Sequence, residues 1–416
     1  MICYNCFQEK GDSPVCPHCH YNEAVNRERF PMALPCGVEI GNAYTLGRVL
    51  GQGGFGITYI AKDNYNGARV AIKEYFPDSM ATRSSSQTVS AYTGERGEGF
   101  TYGKQCFLEE AKTLATFIGN PSIVRVYRYF EENNTAYFVM EYVEGTSLKD
   151  YLRSHGGKIS FDEAKRILIP VMDALSAVHA KGIVHRDISP DNIIITKDGK
   201  VKLLDFGAAR YSIGDMSRSL DVVLKHGYAP REQYSRHGRQ GPFTDVYSLA
   251  ATFYRAITGI IPQDSIDRLD NDMLVTPRAF CSDLTPQGEF ALYKGLGVQP
   301  GDRFQSTVQF KECLLSRGQV PQAQFKPAPM QAQQPAPRQA SSVQPSLQPP
   351  RPSGQPVSAQ GQPVSAQGQK QKPSKMAPKQ SKEKKPVNPL KTMLISFGIS
   401  MAVFGVILLI IILLKK

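Results

Sequence analysis

Residues 185–207 read HRDISPDNIIITKDGKVKLLDFG, and the rest of the chain is arranged around them. Two short apolar runs, 193–196 and 201–204, flank Lys197-Asp198-Gly199-Lys200. An Asp-Gly pair supplies the left-handed backbone that a tight connection needs, so the segment is predicted to be a β-hairpin. Folded that way, it brings Asp187 and Asn192, just before the first strand, close to Asp205, just after the second. Two metal-seeking oxygens and one proton-accepting carboxylate then share a cleft, which suits phosphoryl transfer. A lone Asp in a loop is more often a turn or cap residue. That bland reading is removed by the further motifs on either side.

Upstream, Gly51-Gln52-Gly53-Gly54-Phe55-Gly56 would fit a dinucleotide-binding turn as well as a phosphate-covering hairpin. The residues after the glycines decide between the two. A dinucleotide unit needs a helix directly after them, whereas 57–60 and 70–73 are β-branched runs separated by a turn over 64–67. A polar insert over 74–103 comes next, then a helical pattern over 107–117 and strands at 124–130 and 136–140. Ser160-x-x-Glu163 is a capping box. Behind it Ile167, Val171, Leu175 and Val178 form one apolar helical stripe that ends before Lys181-Gly182.

This order of motifs resembles the eukaryotic-type protein kinases. HRDISPDN together with Gly227-Tyr228-Ala229-Pro230-Arg231-Glu232-Gln233-Tyr234 resembles a bacterial, serine/threonine-directed branch of them. The resemblance covers residues 44–316 and implies an α+β, bilobal fold with a β-rich N-lobe and an α-helical C-lobe. It implies that the backbone of Gly51, Gln52, Gly53, Gly54, Phe55 and Gly56 covers the phosphates of ATP, and that Lys73 reaches the α- and β-phosphates. Lys73 should pair with a helix carboxylate; Glu110 is chosen over Glu109 because Leu114 follows four residues later on the same face. Glu141-Tyr142-Val143 is the expected interlobe hinge, with the backbone of Glu141 and Val143 meeting adenine. Asp187 is expected to act as general base or to orient the attacking hydroxyl, and Asn192 and Asp205 to hold Mg²⁺ or Mn²⁺. Glu232 should pair with Arg303.

One departure stands out. Ser189 occupies the place where serine/threonine-directed kinases usually carry a Lys that contacts the transferring phosphate, so either another cation compensates or turnover is slow. Arg186 is expected to meet a phosphorylated residue of the activation segment, with Ser212, Ser217 and Ser219 the candidates and Tyr211 behind them; the alternative is that Arg186 pairs with an acid such as Asp221.

Before the kinase-like region, Cys3-x2-Cys6 and Cys16-x2-Cys19 lie nine residues apart. Paired knuckles of this kind let four thiolates surround one Zn²⁺ and leave no open position, so residues 1–22 are read as a structural zinc ribbon. A reducing compartment disfavours the competing disulfide pair. Cys36, Cys106, Cys281 and Cys313 are scattered singly and are expected to be buried apolar thiols. The opening residues show no charged and apolar leader, so the catalytic part is expected in the cytoplasm.

Charge and composition change at Gly318. From there on, 13 Lys and Arg face one acid, which accounts for the whole net charge of +12. The region before it is neutral, so no nucleic-acid surface is expected on it. Residues 317–391, rich in Gln, Pro and Lys with QPVSAQG repeated in tandem from Gln355, cannot bury enough apolar surface to offset chain entropy and are read as a disordered linker. Residues 392–414 hold 22 consecutive uncharged residues from Met393, about 33 Å of helix at 1.5 Å each, and are read as a transmembrane helix. The eight lysines of 370–391 place its flank on the cytoplasmic side, against lipid headgroups. With two lysines beyond the span, no external sensor domain is expected.

Three functional classes are open to such a chain. The favoured one is a membrane-tethered, ATP-dependent protein kinase acting on Ser or Thr of protein substrates and on its own copies in trans. The second is a pseudokinase scaffold binding nucleotide and partners, which retention of Lys73, Asp187, Asn192 and Asp205 opposes and Ser189 favours. The third, a kinase of small molecules, is opposed by an activation segment over 208–228 long enough to dock a peptide.

Overall fold

The computed structural model describes residues 1–206, 224–235 and 238–316. Its upper half is a six-stranded antiparallel sheet in the order β1-β2-β3-β4-β8-β7. These strands are β1 (Glu39–Ile40), β2 (Tyr44–Gly53), β3 (Gly56–Asp63), β4 (Arg69–Tyr75), β7 (Val126–Glu132) and β8 (Thr135–Glu141), and helix α2 (Glu95–Leu114) packs on β7 and β8. A small hairpin of β5 (Ala81–Arg83) and β6 (Val89–Ala91) precedes α2, and the short α1 (Glu23–Arg29) lies against β2. The lower half is helical: α3 (Leu148–Ser154), α4 (Phe161–His179), α5 (Pro242–Thr258), α6 (Asp267–Asp270), α7 (Pro286–Gly295) and α8 (Thr307–Leu315). This is the expected α+β division into two lobes.

The α4 stripe read from the sequence is the buried face: Ile167, Val171, Leu175 and Val178 are all in the core. Ser160 accepts the Glu163 N–H at the helix start, as a cap should. The Glu163 carboxylate, however, takes the Tyr151 hydroxyl at 2.5 Å. Helix α5 is apolar on every side and buried along almost its whole length, which makes it the interior post on which the lower lobe is assembled.

Two stretches differ from their sequence reading. The insert over 74–103 is not featureless: it forms β5, β6 and the first turns of α2, which begins twelve residues before the predicted start. Glycines at 97, 99 and 103 hide that helix from propensity, yet packing requires them. A Cβ on Gly97 would lie 2.4 Å from the Tyr92 carbonyl. The stretch between the ribbon and residue 44 is likewise built into the upper lobe, with Leu34 buried and its N–H donating to the Tyr59 hydroxyl at 3.0 Å.

Both features meet at Glu74, which is fully buried. Its carboxylate accepts from Tyr59 (2.8 Å), Tyr137 (2.7 Å) and Arg83 (2.7 Å). Arg83 in turn donates to the carbonyls of Met32 and Gln87. A buried carboxylate is tolerable because every neighbour donates to it. The network joins 32–34, the β5–β6 hairpin and β4 into one unit.

Among the described residues no helix is long and apolar enough to cross a membrane. The linker and the candidate span at 392–414 lie outside them.

Candidate active site

The hairpin of residues 185–207 forms with the predicted register. β10 (Ile193–Thr196) pairs with β11 (Val201–Leu203), Ile193 opposite Leu203. Gly199 takes the left-handed backbone (φ 76°). A third strand, β9 (Gly145–Ser147), joins from the hinge and pairs with β10. Gly145 is required there, since a Cβ would lie 2.4 Å from the Ile195 carbonyl.

The loop before β10 is held from below. Asp245, fully buried on α5, accepts the backbone N–H of His185 (2.8 Å) and of Arg186 (2.8 Å) and the ring nitrogen of His179 (2.7 Å). Arg186 sits at φ 68°, a left-handed conformation that costs a side-chain-bearing residue about 1–2 kcal/mol. The two N–H bonds to one carboxylate fix it. His185 is stacked on Phe206, with ring centres 4.3 Å apart, and its Nε2 meets the Leu204 carbonyl at 2.9 Å. Burial pushes the imidazole below its ordinary pKa against the pull of Asp245 and Asp187. A neutral ring therefore donates from Nε2, leaving Nδ1 to accept the Asp187 N–H at 3.3 Å.

Asp187 and Asn192 are thereby brought together. The Asn192 amide nitrogen donates to the Asp187 carbonyl (2.7 Å) and carboxylate (3.0 Å). With that nitrogen committed, the amide oxygen is the atom Asn192 can offer a cation. Asp205 stands at the end of β11 with φ 48° and accepts from Lys73 Nζ at 2.8 Å. Burial alone would raise the Asp205 carboxyl; Lys73 first, then Lys225 and His185, more than reverse this and hold it low. Conversely, burial would lower the Lys73 ammonium, but Asp205, Glu110 and Asp187 leave it raised. Both groups are charged at neutral pH. Glu110 is buried on α2 and adds to the field at Lys73, although the hydrogen bond of Lys73 runs to Asp205.

The glycine segment is the tip of the β2–β3 hairpin, with Gly53 opposite Gly56 and Gln52 opposite Ile57. Of its glycines, Gly56 serves the fold itself: a Cβ there would lie 2.5 Å from the Glu74 carbonyl. At Gly51, Gly53 and Gly54 a Cβ would meet nothing within 4 Å. Internal packing thus does not demand glycine at those three, and an open cradle remains around Phe55. At the hinge, the backbone N–H of Glu141 is spent on the Arg125 carbonyl (2.8 Å), while its side chain takes Lys202 of β11 at 2.8 Å. That ion pair, not foreseen from the sequence, ties the hinge to the catalytic hairpin. Val143 is half-buried just beyond.

Farther down, Arg303 and Glu232 form the expected pair, buried and bidentate at 2.7 and 3.0 Å. The residue that sequence reasoning missed is Lys225. Its ammonium lies 2.8 Å from the Ser189 hydroxyl and 3.3 Å from Asp187. Ser212, Ser217, Ser219, Tyr211 and Asp221 lie outside the described residues, so the activation-segment partner of Arg186 is not placed.

At the other end, Cys3, Cys6, Cys16 and Cys19 are free thiols whose sulfurs lie within 4.8 Å of one another, with Cys3 to Cys19 at 3.6 Å and Cys6 to Cys16 at 3.7 Å. Four sulfurs about 2.3 Å from one Zn²⁺ stand about 3.8 Å apart, so the set fits a tetrahedral ion. The ribbon bonds directly to β2: the Tyr4 carbonyl and Asn5 side chain accept from Arg48 at 2.8 and 2.6 Å, and Asn26 accepts the Val49 N–H at 3.2 Å.

A two-lobed fold with a lysine, two carboxylates and an amide converging between the lobes under a glycine hairpin defines a nucleotide-dependent phosphotransferase cleft. The protein kinase domain family matches residues 44–277, more than half of the chain, and the chain belongs to that family. It is 31% identical over 282 residues to serine/threonine-protein kinase PknA of Nostoc sp., a match covering 66% of this chain and 47% of that protein. To serine/threonine-protein kinase PrkC of Bacillus subtilis it is 33% identical over 233 residues, covering 55% and 32%. The chain thus spans about half or less of these relatives. Among solved structures, PpkA-294 in its apo form matches with a TM-score of 0.61 and 36% identity, over 68% of this chain and 99% of that one.

Proposed function

We propose that the protein is a serine/threonine protein kinase that uses ATP. The observation that carries this is the convergence of charged Lys73 and Asp205 on one side of the cleft with Asp187 and Asn192 on the other, each held by separate elements. Asn192 and Asp205 fit Mg²⁺ or Mn²⁺, which when bound supplies charge neutralisation for the phosphates. Lys73 positions the phosphates as a point charge, the backbone of 51–56 covers them, and Asp187 orients the acceptor hydroxyl and takes its proton. The retained side chains weigh against a pseudokinase scaffold. The curated relatives, named as serine/threonine kinases, support that residue class as the target.

The same reading includes a structural Zn²⁺ on the four cysteines, supported by their spacing in sequence and space. It also includes a tether of the catalytic part to the cytoplasmic face of a membrane through residues 392–414, supported by the uncharged run and its lysine flank. Confinement to a surface raises the effective concentration of neighbouring copies, which favours phosphorylation in trans.

The test is phosphoryl transfer from labelled ATP to a peptide mixture by the full chain. Asp187→Asn is expected to abolish transfer while ATP affinity stays within a few-fold, because Asp187 acts on the hydroxyl. Full turnover in that variant, or in Lys73→Met, would refute the site.

A further inference from the structure

The catalytic loop carries no cation at position 189, yet a cation stands there. Lys225 comes from the other side of the cleft, after the segment 207–223. Its side chain bridges the buried Ser189 hydroxyl at 2.8 Å and the Asp187 carboxylate at 3.3 Å. The backbone that delivers it is firmly built. The Lys225 carbonyl accepts from Tyr228 (3.0 Å) and Ala229 (3.1 Å), Gly227 is left-handed at φ 78°, and Asp264 accepts from both Gly227 N–H and His226. A Cβ on Gly227 would lie 2.4 Å from the Pro262 carbonyl, so that turn leaves no room for another residue.

A cation this close to the group that takes the hydroxyl proton works against the basicity of that group. The arrangement is useful where negative charge gathers beside the carboxylate during reaction. Phosphoryl transfer does this: the three equatorial oxygens of the moving group carry the charge, and preorganised donors aimed at it supply much of the rate. Lys73 and Asp205 occupy the nucleotide side of the cleft; Lys225 occupies the acceptor side.

We propose that Lys225 is a catalytic residue of the transfer step, contacting the transferring phosphoryl oxygens on the acceptor side, with Ser189 as the positioning residue that aims its ammonium. In that step the acceptor oxygen bonds to the γ-phosphorus as the bond from phosphorus to the β–γ bridging oxygen breaks. ADP departs with the electron pair, and the hydroxyl proton passes to the Asp187 carboxylate. Lys225 keeps its proton throughout and contributes charge alone. Its field also reaches Asp205 and His185, both of which it pushes toward lower pKa. Because the cation arrives on a different segment from the catalytic loop, a productive cleft requires the turn at 225–229 to be docked.

The inference rests on the kinase reading, and the experiment separates the two. Steady-state and single-turnover transfer from ATP to a peptide substrate are measured for the full wild-type chain, Lys225→Met, Lys225→Arg, Lys225→Thr, Ser189→Ala and the double variant Ser189→Lys/Lys225→Thr, with thermal melting for each. Lys225→Met is expected to lose about 10²-fold or more in single-turnover rate, the usual loss when one preorganised charge donor is removed, while KM for ATP changes less than about threefold. Lys225→Arg should retain more activity than Lys225→Met. Moving the lysine to position 189 should recover at least about tenfold over Lys225→Thr alone, which a merely structural role for Lys225 does not explain. Transfer by Lys225→Met within about threefold of wild type overturns the proposal. So does a well-folded double variant no faster than Lys225→Thr. If Lys225→Met and Lys225→Thr fail to fold, Lys225→Arg with Ser189→Ala decides: a Ser189→Ala rate unchanged in both backgrounds removes the positioning role and the proposal with it. A wild-type chain that transfers nothing overturns the kinase reading itself.

Discussion

Asp245→Asn is the sharpest single perturbation of the catalytic loop, because it changes one atom and no volume. The Asp245 carboxylate is fully buried and serves three donors, His185 N–H and the His179 ring on Oδ2 and Arg186 N–H on Oδ1. An amide can satisfy those on its oxygen and must turn its own N–H₂ toward the other side. In the better orientation Arg186 N–H loses its acceptor and faces a donor. A hydrogen bond to a charged acceptor contributes about 1.5–3 kcal/mol, and an orphaned buried donor costs on the same scale, so a loss of about 2–4 kcal/mol is expected. For a domain of this size that is roughly 4–16 °C in melting temperature. The release also lets Arg186 leave its left-handed conformation, which favours relaxation by about 1–2 kcal/mol and carries Asp187 with it. A displacement near 1 Å at the hydroxyl-orienting carboxylate costs about 10²-fold in turnover. Differential scanning fluorimetry and peptide phosphorylation read the two effects on one sample. A variant that melts within about 1 °C of wild type, well below the shift worked out above, and turns over normally would refute the claim that Asp245 holds the loop.

Three further outcomes are expected. Arg303→Met, which strips the buried Glu232 carboxylate of its bidentate partner, should cost about 3–5 kcal/mol in urea unfolding, and Glu232→Gln/Arg303→Met together should recover part of it; strictly additive losses would count against coupling. The full chain should carry one equivalent of zinc. Because the ribbon bonds to Arg48 and Val49 of β2 just ahead of the glycines, chelation should raise KM for ATP more than it lowers kcat; less than about half an equivalent of zinc would sink the four-cysteine site. His185 sets a pH dependence. Buried and held below its ordinary value of 6.5, it stays neutral where the unfolded chain takes up a proton, so stability falls on acidification below about 6.5. The slope is at most about 1.4 kcal/mol per pH unit until its native pKa is passed. His185→Gln should flatten the urea-midpoint slope between about pH 6.5 and 5, and an unchanged slope would point to other groups.

Local chemistry explains what was readable in advance. The hairpin at 193–203 announced itself because its turn and its two strands are adjacent in sequence, and an Asp-Gly between β-branched runs leaves few alternatives. The α4 stripe was legible for the same reason, since periodicity and burial coincide. The start of α2 was not, because its glycines answer to contacts with Met80 and Tyr92 that lie outside any local window. Nor was the Glu74 network, in which Tyr59, Arg83 and Tyr137 come from three separate strands. Each partner alone is an ordinary residue at an ordinary position.

Ser189 and Lys225 show the limit most clearly. The gap at 189 was visible from the motif around it, and charge balance in the cleft required either a replacement or a slow reaction. The side chain that filled it lay 36 residues away, on a turn whose Gly-Tyr-Ala-Pro sequence reads as a docking element. A lysine before such a turn looks like any solvated charge. Its role comes from where Asp264 and the Pro262 carbonyl hold Gly227, because that closure aims the nearby side chain at the catalytic loop. Moving the cation from the loop to the turn leaves the charge in the cleft unchanged but alters what controls it: a lysine at 189 would be present whenever the hairpin is folded, whereas one at 225 is present when the turn is docked.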